Sequence, residues 1–206
     1  MSEQQSTSVT NISRRTMLKT LGLAGGFVVA VTLVPKGMRS LRARPTHDGL
    51  SPSIYLAIDE DGTVHAYIHR VEMGQGTRTG LTQILADELE ADWDRIHVVP
   101  TYGDVRFGSQ NTDGSTSIRN FYDAFRQAGA SARRMLEEAA ATEWGVDRSQ
   151  VEARNHEVYN AATGEALDYR ELVEAAASMD VPDPESLTLK TREEHRYIGH
   201  PIPNLY

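Results

Sequence analysis

The chain has 206 residues, of which 39% are hydrophobic and 24% are charged, and it contains no cysteine. This length and composition are typical of one globular domain or a small two-domain protein. The lack of cysteine excludes a disulfide framework, a thiolate zinc site, a cysteine nucleophile and a cysteine-ligated iron–sulfur cluster within these residues.

The formal net charge of -8 is distributed unevenly along the chain. Residues 1–50 hold seven basic and two acidic residues, a net charge of +5, which leaves -13 for residues 51–206. An acidic body repels phosphate backbones at long range, so this distribution argues against a general nucleic-acid-binding protein. Local arginines can still hold one phosphate group.

The basic segment 1–50 has the features of an export signal followed by a linker. The run SRRTMLK at 13–19 precedes an apolar stretch, 21–34, that is shorter than the roughly 20 residues of a membrane span. It resembles a twin-arginine translocation signal, with Met17 at the usual phenylalanine position. Such a signal predicts export of a folded protein to the periplasm. No A-x-A cleavage site precedes Arg42, so an uncleaved membrane anchor and a chance Arg-Arg pair stay open as alternatives.

The first part of the acidic body predicts a β-hairpin. Two strand-like runs, 53–58 and 63–70, flank an Asp-Gly dipeptide of the type that forms hairpin turns. Further along, residues 96–99 predict a buried strand, and the polar segment 102–111 predicts a surface loop.

An amphipathic helix is predicted over 79–91. Apolar residues recur there at i, i+3, i+4 and i+8 and form one core-facing stripe, namely Leu81, Ile84, Leu85 and Leu89. The polar residues between them, such as Asp87 and Glu88, are expected to face water.

A longer, alanine-rich helix is predicted over 115–144, with Gly145 as its C-terminal stop. Gly129 lies between two alanines and permits close backbone packing at a small cost in helix propensity. Arg133 and Arg134 precede two glutamates by one turn, which favours ion pairs on a solvated face.

The remaining elements are short. Two strands are predicted between residues 151 and 159, and a helix over 169–179 that Asp168 can cap. Residues 181–206 show no periodicity and predict an irregular tail. Residues 51–180 therefore predict one α/β (α+β) domain with a small mixed sheet and two or three packed helices.

Two segments carry candidate binding residues, and the first is a glycine-rich loop between a strand and a helix. Gly74 and Gly76 flank Gln75, so the backbone can turn sharply and approach a ligand while the carboxamide offers both a donor and an acceptor. A tight turn with a helix start is the alternative interpretation.

The second segment opens the predicted long helix. Hydroxyl groups and free backbone N–H groups at a helix N-terminus, with Arg119 in the first turn, favour a phosphate or pyrophosphate site. The residues concerned are Thr112, Gly114, Ser115 and Ser117. An ordinary N-cap by Ser115 is the alternative.

A histidine pair is a weaker candidate. His65 and His69 are four residues apart, which on a strand separates them by about 13 Å, too far to share one metal ion. Surface or packing roles are therefore favoured for both, and no metal ligand is predicted.

Taken together, three stretches resemble one known family. They are EMGQGTRTGLTQILADELEADWDRIHV, NTDGSTSIRNFYDAFRQAGASARRML and a following Trp-Gly-Val. The combination resembles the molybdenum hydroxylase family of xanthine dehydrogenase and aldehyde oxidase, in particular the large (beta) subunits of isoquinoline 1-oxidoreductase and of related exported aldehyde dehydrogenases. The likeness covers most of residues 51–200 and implies a molybdopterin-binding domain.

The resemblance implies roles for both candidate segments. In that family the glutamine of the MGQG loop hydrogen-bonds the pterin, which implies this role for Gln75, with Gly74 and Gly76 giving access. The family holds the cofactor phosphates with small and hydroxyl residues at the positions of Thr112, Gly114, Ser115 and Ser117.

The resemblance also implies a reaction and partners. Such enzymes hydroxylate aldehydes or N-heterocyclic aromatic compounds with water as the oxygen source. Their cofactor is molybdenum-molybdopterin, with a cytosine dinucleotide as the expected form. Electrons pass to [2Fe-2S] clusters on a small partner subunit and, in exported relatives, to a cytochrome c subunit.

The family's large subunits are several times longer than this chain. Residues 197–203 resemble the lead-in to a further domain, and the family's catalytic glutamate lies in a part without a counterpart here, so no catalytic residue is predicted. Two hypotheses follow: a subunit completed by the remaining large-subunit chain or domain, or a truncated, non-catalytic remnant or assembly module.

Overall fold

The computed structural model describes residues 49–205, so the predicted export signal lies outside the described residues except for its last two positions. The strands are β1 (Gly49–Ser53), β2 (Leu56–Asp59), β3 (Val64–Ile68), β4 (Ile96–Pro100), β5 (Val151–Arg154), β6 (Glu157–Asn160) and β7 (Ala166–Asp168). The helices are α1 (Thr77–Leu89), α2 (Thr116–Arg119), α3 (Tyr122–Trp144) and α4 (Tyr169–Ala177). Within residues 49–205, no helix combines the length and apolar character that a bilayer span requires.

The first four strands form one mixed sheet in the order β1-β2-β3-β4. β2 and β3 are the predicted antiparallel hairpin, and α1 is the crossover that returns the chain to place β4 parallel to β3. Alternate residues of β3 are fully buried, as expected for a strand with one face on the core: Val64, Ala66 and Ile68. β1 was not predicted as a separate strand, because its sequence, GLSPS, has a proline and no apolar alternation.

The second sheet is antiparallel and has the order β5-β6-β7. It leads into α4, where the predicted cap is confirmed: the Asp168 side chain accepts from the N–H of Arg170, and Glu171 completes a capping box. The three-residue strand β7 carries too few residues for a periodic pattern.

Helices α1 and α3 pack closely against each other. The predicted stripe on α1 is confirmed, since all four of its residues are at most 4% exposed. A Cβ atom on Gly129 of α3 would lie 2.5 Å from the backbone oxygen of Leu85 and 2.9 Å from Cβ of Glu88. The glycine is therefore needed for the short distance between the two helices.

The prediction that Asp87 and Glu88 face water is wrong. Both side chains are fully buried, because the irregular segment 187–198 lies across this side of α1. Asp87 accepts from the backbone N–H groups of residues 196–198. Glu88 accepts from the N–H of Lys190 and, at 2.6 Å, from Nε of Arg126. Helical spacing could not reveal a cover supplied by a distant, non-periodic segment.

The two adjacent arginines of α3 differ in their contacts. Arg134 pairs with Glu138 at 2.5 Å, as predicted for a solvated face. Arg133 instead reaches buried Glu88 at 3.7 Å and donates to the Thr188 carbonyl oxygen at 2.8 Å. The surface prediction for Arg133 is therefore wrong, again because of the covering segment.

Candidate functional site

Two loops meet at the carboxyl ends of the parallel strands β3 and β4. Ile68 is opposite Pro100 at the last position of their register, so the chain leaves both strands side by side. We call residues 70–76, which follow β3, the glycine loop. Residues 111–117, which β4 reaches through a loop with a 3₁₀ turn, are called the hydroxyl segment.

Direct hydrogen bonds join the glycine loop to the hydroxyl segment. The backbone N–H of Val71 donates to Oγ1 of Thr112 at 2.9 Å. Nη1 of Arg70 donates to the carbonyl oxygen of Asn111. Both candidate segments of the sequence analysis therefore belong to one site, although 41 residues separate the bonded pairs.

Gln75 shapes the glycine loop from within. Its Oε1 accepts from the N–H of Met73 at 2.6 Å, and its Nε2 donates to the carbonyl oxygen of Val71 at 2.9 Å. A carboxamide has two donor hydrogens and two acceptor lone pairs, so one of each is left for a ligand. Sequence reasoning assigned Gln75 to a ligand alone and missed this second use.

The two glycines of the loop have backbone angles that favour glycine. Gly74 has φ 95° and Gly76 has φ 78°, both in the left-handed region. A Cβ atom at either position would meet no atom within 4 Å. The space above the turn is therefore open, as a loop that approaches a ligand requires.

Glu72 holds the same turn together. Its carboxylate accepts from the backbone N–H groups of Gly74, Gly76 and Arg78 at 2.8–3.0 Å. Desolvation acts to raise the pKa of Glu72, but these three donors outweigh it and hold the pKa below its ordinary value. A carboxylate kept ionised by loop N–H groups is a structural group of the loop and a poor proton acceptor.

The hydroxyl segment differs from the helix start that the sequence predicted. The helix is broken at residues 120–121, so the segment opens the four-residue α2, and the long helix α3 begins only at Tyr122. Ser115 has φ 56° and makes no capping hydrogen bond with its side chain, which excludes the ordinary N-cap interpretation. Arg119 is exposed at the C-terminal end of α2, away from the predicted first turn of a long helix.

The break between α2 and α3 has an identifiable packing role. Phe121 sits at the break with its ring edge-on to His69, at a centroid distance of 4.3 Å. Because His69 ends β3 and Phe121 follows α2, this contact fixes the distance between the two loops. Composition gave no sign of it, since the stretch around Phe121 also fits a continuous helix.

His69 is the packing histidine that the sequence favoured. It is fully buried among the rings of Tyr55, Phe107 and Phe125 as well as Phe121. Burial and then the charge of Arg70 lower its pKa to about 4. Neither ring nitrogen has a hydrogen-bond partner among residues 49–205. His65 lies back along β3, where its Nε2 is 2.7 Å from the carboxylate of Asp59.

A cleft of about 360 Å³ lies between the glycine loop and the hydroxyl segment. Five of the seven predicted binding residues line it: Gln75, Thr112, Gly114, Ser115 and Ser117. Gly74 and Gly76 flank Gln75 in the loop. Sequence reasoning missed the apolar lining side chains of Met73 and Ile118, which are 68% and 38% exposed. Exposed apolar side chains beside a polar cleft were the available clue.

The donor set of the cleft suits an organic ligand with anionic groups. Hydroxyl groups and backbone amides at a turn bind phosphate oxygens and heterocyclic edges. The open space above Gly74 and Gly76 leaves room for such a group to lie against the backbone. Clefts at the carboxyl ends of parallel strands are the usual ligand sites of α/β domains. Fold and site therefore define a ligand-binding α/β domain.

Comparison with known families identifies the domain. Residues 10–201 match the model of the molybdopterin cofactor-binding domain, and the chain belongs to this family. The resemblance to molybdenum hydroxylases and the predicted fold class are thereby confirmed. The cleft residues fit the group that the family binds, because their hydroxyl and amide groups are the donors that a pterin and its phosphates accept.

Three curated relatives show the same affiliation. The beta subunit of isoquinoline 1-oxidoreductase from Brevundimonas diminuta is 32% identical over 84% of this chain and 22% of its own length. The membrane-bound aldehyde dehydrogenase (pyrroloquinoline-quinone) of Gluconacetobacter polyoxogenes is 33% identical over 77% and 21%, respectively. A nicotinate dehydrogenase subunit from Pseudomonas putida is 30% identical over 83% and 14%. The chain thus spans about a fifth or less of the length of these relatives.

Proposed function

We propose that this chain is the molybdenum-cofactor-binding part of an exported oxidoreductase that hydroxylates aldehydes or N-heterocyclic aromatic compounds. The observation that carries the proposal is the joining of the glycine loop and the hydroxyl segment at one cleft, in a chain of this family. The names of the three relatives, with an aldehyde and two N-heterocycles, support the substrate class.

Each cleft residue has a defined task in this proposal. Gln75 binds the pterin with the donor and the acceptor that the loop leaves unused. The hydroxyl groups of Thr112, Ser115 and Ser117 bind phosphate oxygens, and Gly114 keeps the turn free of a side chain. When bound, the cofactor supplies the redox chemistry, with water as the oxygen source.

Other chains complete the enzyme in this proposal. The remaining large-subunit chain or domain contributes the substrate pocket and the catalytic base, because Glu72 is engaged by the loop. A small subunit with [2Fe-2S] clusters, and beyond it a cytochrome c subunit, accepts the electrons. The complete lack of cysteine in this chain supports a separate location for the clusters.

The proposed location is the periplasm, with membrane association if the N-terminal segment stays uncleaved. The twin-arginine run at 13–19 supports export of the folded protein with its cofactor. The cofactor form is proposed to be the cytosine dinucleotide.

Metal and cofactor analysis of the complex purified with this chain tests the proposal. The expected result is stoichiometric molybdenum together with a pterin dinucleotide in protein from cells that make the cofactor. One relative is named for pyrroloquinoline quinone, so the same extract is assayed for that quinone. The quinone without molybdenum, or neither cofactor, would overturn the proposal, and the latter result supports the remnant or assembly-module hypothesis.

A further inference from the structure

Arg70, the first residue of the glycine loop, has an unusual environment for a cation. It is 3% exposed, and no other lysine or arginine among residues 49–205 is as deeply buried. Its guanidinium lies 4.5 Å from the ring centroid of Phe121 and donates to the Asn111 carbonyl oxygen. Its Nε is buried and has no hydrogen-bond partner in the described part of the chain.

The other cations that are largely shielded from solvent are paired with carboxylates. Arg126 pairs with Glu88, and Lys190 and Arg196 both pair with Glu90. For Arg70, no carboxylate among residues 49–205 lies within 4 Å. A buried charge without a counter-charge is costly, and a contact with an aromatic ring compensates only part of that cost.

The acidic groups nearest to Arg70 in sequence are committed elsewhere. Glu72 spends both carboxylate oxygens on backbone N–H groups of the glycine loop. Asp113 accepts from the Asn111 carboxamide at 2.7 Å. The missing counter-charge is therefore not supplied by the loops themselves, which points to an anionic ligand.

The contacts of Arg70 also fix the position of the hydroxyl segment. Arg70 holds the carbonyl of Asn111, and its neighbour Val71 holds the hydroxyl of Thr112. Two consecutive residues of one loop thus anchor two consecutive residues of the other. Thr112 lines the cleft, so displacement of this anchor would move a lining hydroxyl.

We propose that Arg70 is a positioning residue that holds the hydroxyl segment against the glycine loop and supplies the positive charge favouring a phosphate-bearing ligand in the cleft. The inference rests on the proposed function only in taking this cleft as the ligand site. It moves the cationic role from Arg119, which the sequence suggested, to a buried residue that the sequence did not single out.

The experiment titrates the full 206-residue chain with inorganic pyrophosphate and follows the thermal unfolding midpoint. Arg70→Met, which removes the charge, should weaken the apparent affinity about tenfold or more. Arg70→Lys, which keeps the charge, should retain most of it. The matched control is Arg154→Met, because the exposed Arg154 guanidinium also lies 4.5 Å from a ring centroid, that of Tyr159. This control should bind within about twofold of the unchanged chain.

Hydrogen exchange of the amides of 111–117 separates positioning from general folding. Arg70→Met should increase exchange in this segment with little change in the sheets. Equal losses of affinity in Arg70→Met and Arg70→Lys would overturn the charge assignment. Should Arg70→Met fail to fold, Arg70→Gln replaces it in the same comparison. The proposal is also overturned if the unchanged chain does not bind pyrophosphate or if Arg119→Met causes the larger loss.

The two proposals fail in different ways. A complex that lacks molybdenum but whose chain binds pyrophosphate through Arg70 would refute the proposed function and leave the present inference intact. A molybdenum-containing complex whose Arg70→Met variant binds pyrophosphate normally would do the reverse.

Discussion

At the scale of single residues, the cleft contains side chains that differ in how far the loops depend on them. The carboxamide of Gln75 bonds the loop at both ends, whereas the Ser115 side chain makes no capping bond. Replacement of the two residues therefore separates loop architecture from ligand binding.

Ser115→Ala should weaken cofactor retention while leaving the fold unchanged. The unfolding free energy should stay within about 0.5 kcal/mol, because serine and alanine are equally disfavoured at φ 56°. Molybdenum content per complex after dialysis is the measurement. Gln75→Ala should also lower retention, but with faster hydrogen exchange at 71–76. Unchanged molybdenum retention in both variants would remove these residues from the site.

Two buried histidines make the stability of the domain depend on pH. Burial is the main cause that lowers the pKa of His69 and of His156 to about 4. Unfolded histidine has a pKa near 6.5, so the unfolded state takes up the proton first as the pH falls. Stability is therefore full above about pH 6.5 and is lost between about pH 6.5 and 4, by up to about 3 kcal/mol for each residue.

The two histidines should differ in the effect of a leucine substitution. Nδ1 of His156 accepts from the N–H of Asp92, and its Nε2 is 2.9 Å from the Gly62 carbonyl oxygen. His156→Leu should cost about 1–3 kcal/mol at pH 7, because it leaves both backbone groups unpaired. His69→Leu removes no hydrogen bond among the described residues and should be close to neutral at pH 7, with a shallower loss of stability toward pH 4. Denaturant unfolding from pH 4 to 8 measures both, and an unchanged pH slope in His69→Leu would contradict the assignment.

At the scale of secondary-structure elements, the domain depends on the close contact of α1 and α3. Gly129→Ala should destabilise it by about 1–3 kcal/mol, because the new Cβ would clash with the backbone of α1 at Leu85. Gly80→Ala is the matched control in α1, since its Cβ would meet only the flexible end of Ile118 at 3.0 Å. That variant should be neutral or slightly more stable, because alanine is the better helix former. Equal unfolding midpoints for the two variants would refute the packing argument.

The elements with a local pattern could be predicted from the sequence, and those defined by distant contacts could not. The hairpin of β2 and β3, the stripe on α1 and the Asp168 cap of α4 all follow from spacing or turn chemistry within about ten residues. β1 and the burial of Asp87 depend on partners far along the chain. The site was predictable to the level of its two loops, but the bonds that join them, and hence Arg70, required the tertiary structure.

At the scale of the whole molecule, the irregular segment 187–198 is held by a buried charge network on α1. Glu88→Gln should destabilise the chain by about 3–5 kcal/mol, because it leaves the charge of Arg126 without its partner in a largely buried setting. Glu138→Gln is the control, since Glu138 forms a half-exposed pair with Arg134 worth less than about 0.5 kcal/mol. The measurements are chemical denaturation and the rate of proteolytic cleavage within 187–198. Equal stability of the two variants would show that the segment is not held by this network.

The division of charge along the chain carries the last prediction. A precursor charge of -8 combines a segment of +5 with a body of -13, so removal of residues 1–50 would leave a strongly acidic protein. If SRRTMLK at 13–19 is the export signal, changing Arg14 and Arg15 together to lysine keeps the charge and removes only the arginine pair. The precursor should then stay in the cytoplasm, with its cleft residues and fold unaffected. Cell fractionation, with the unchanged chain as reference, measures the distribution. Normal export of the double variant would refute the twin-arginine assignment without touching the cofactor proposal, because the two rest on different parts of the chain.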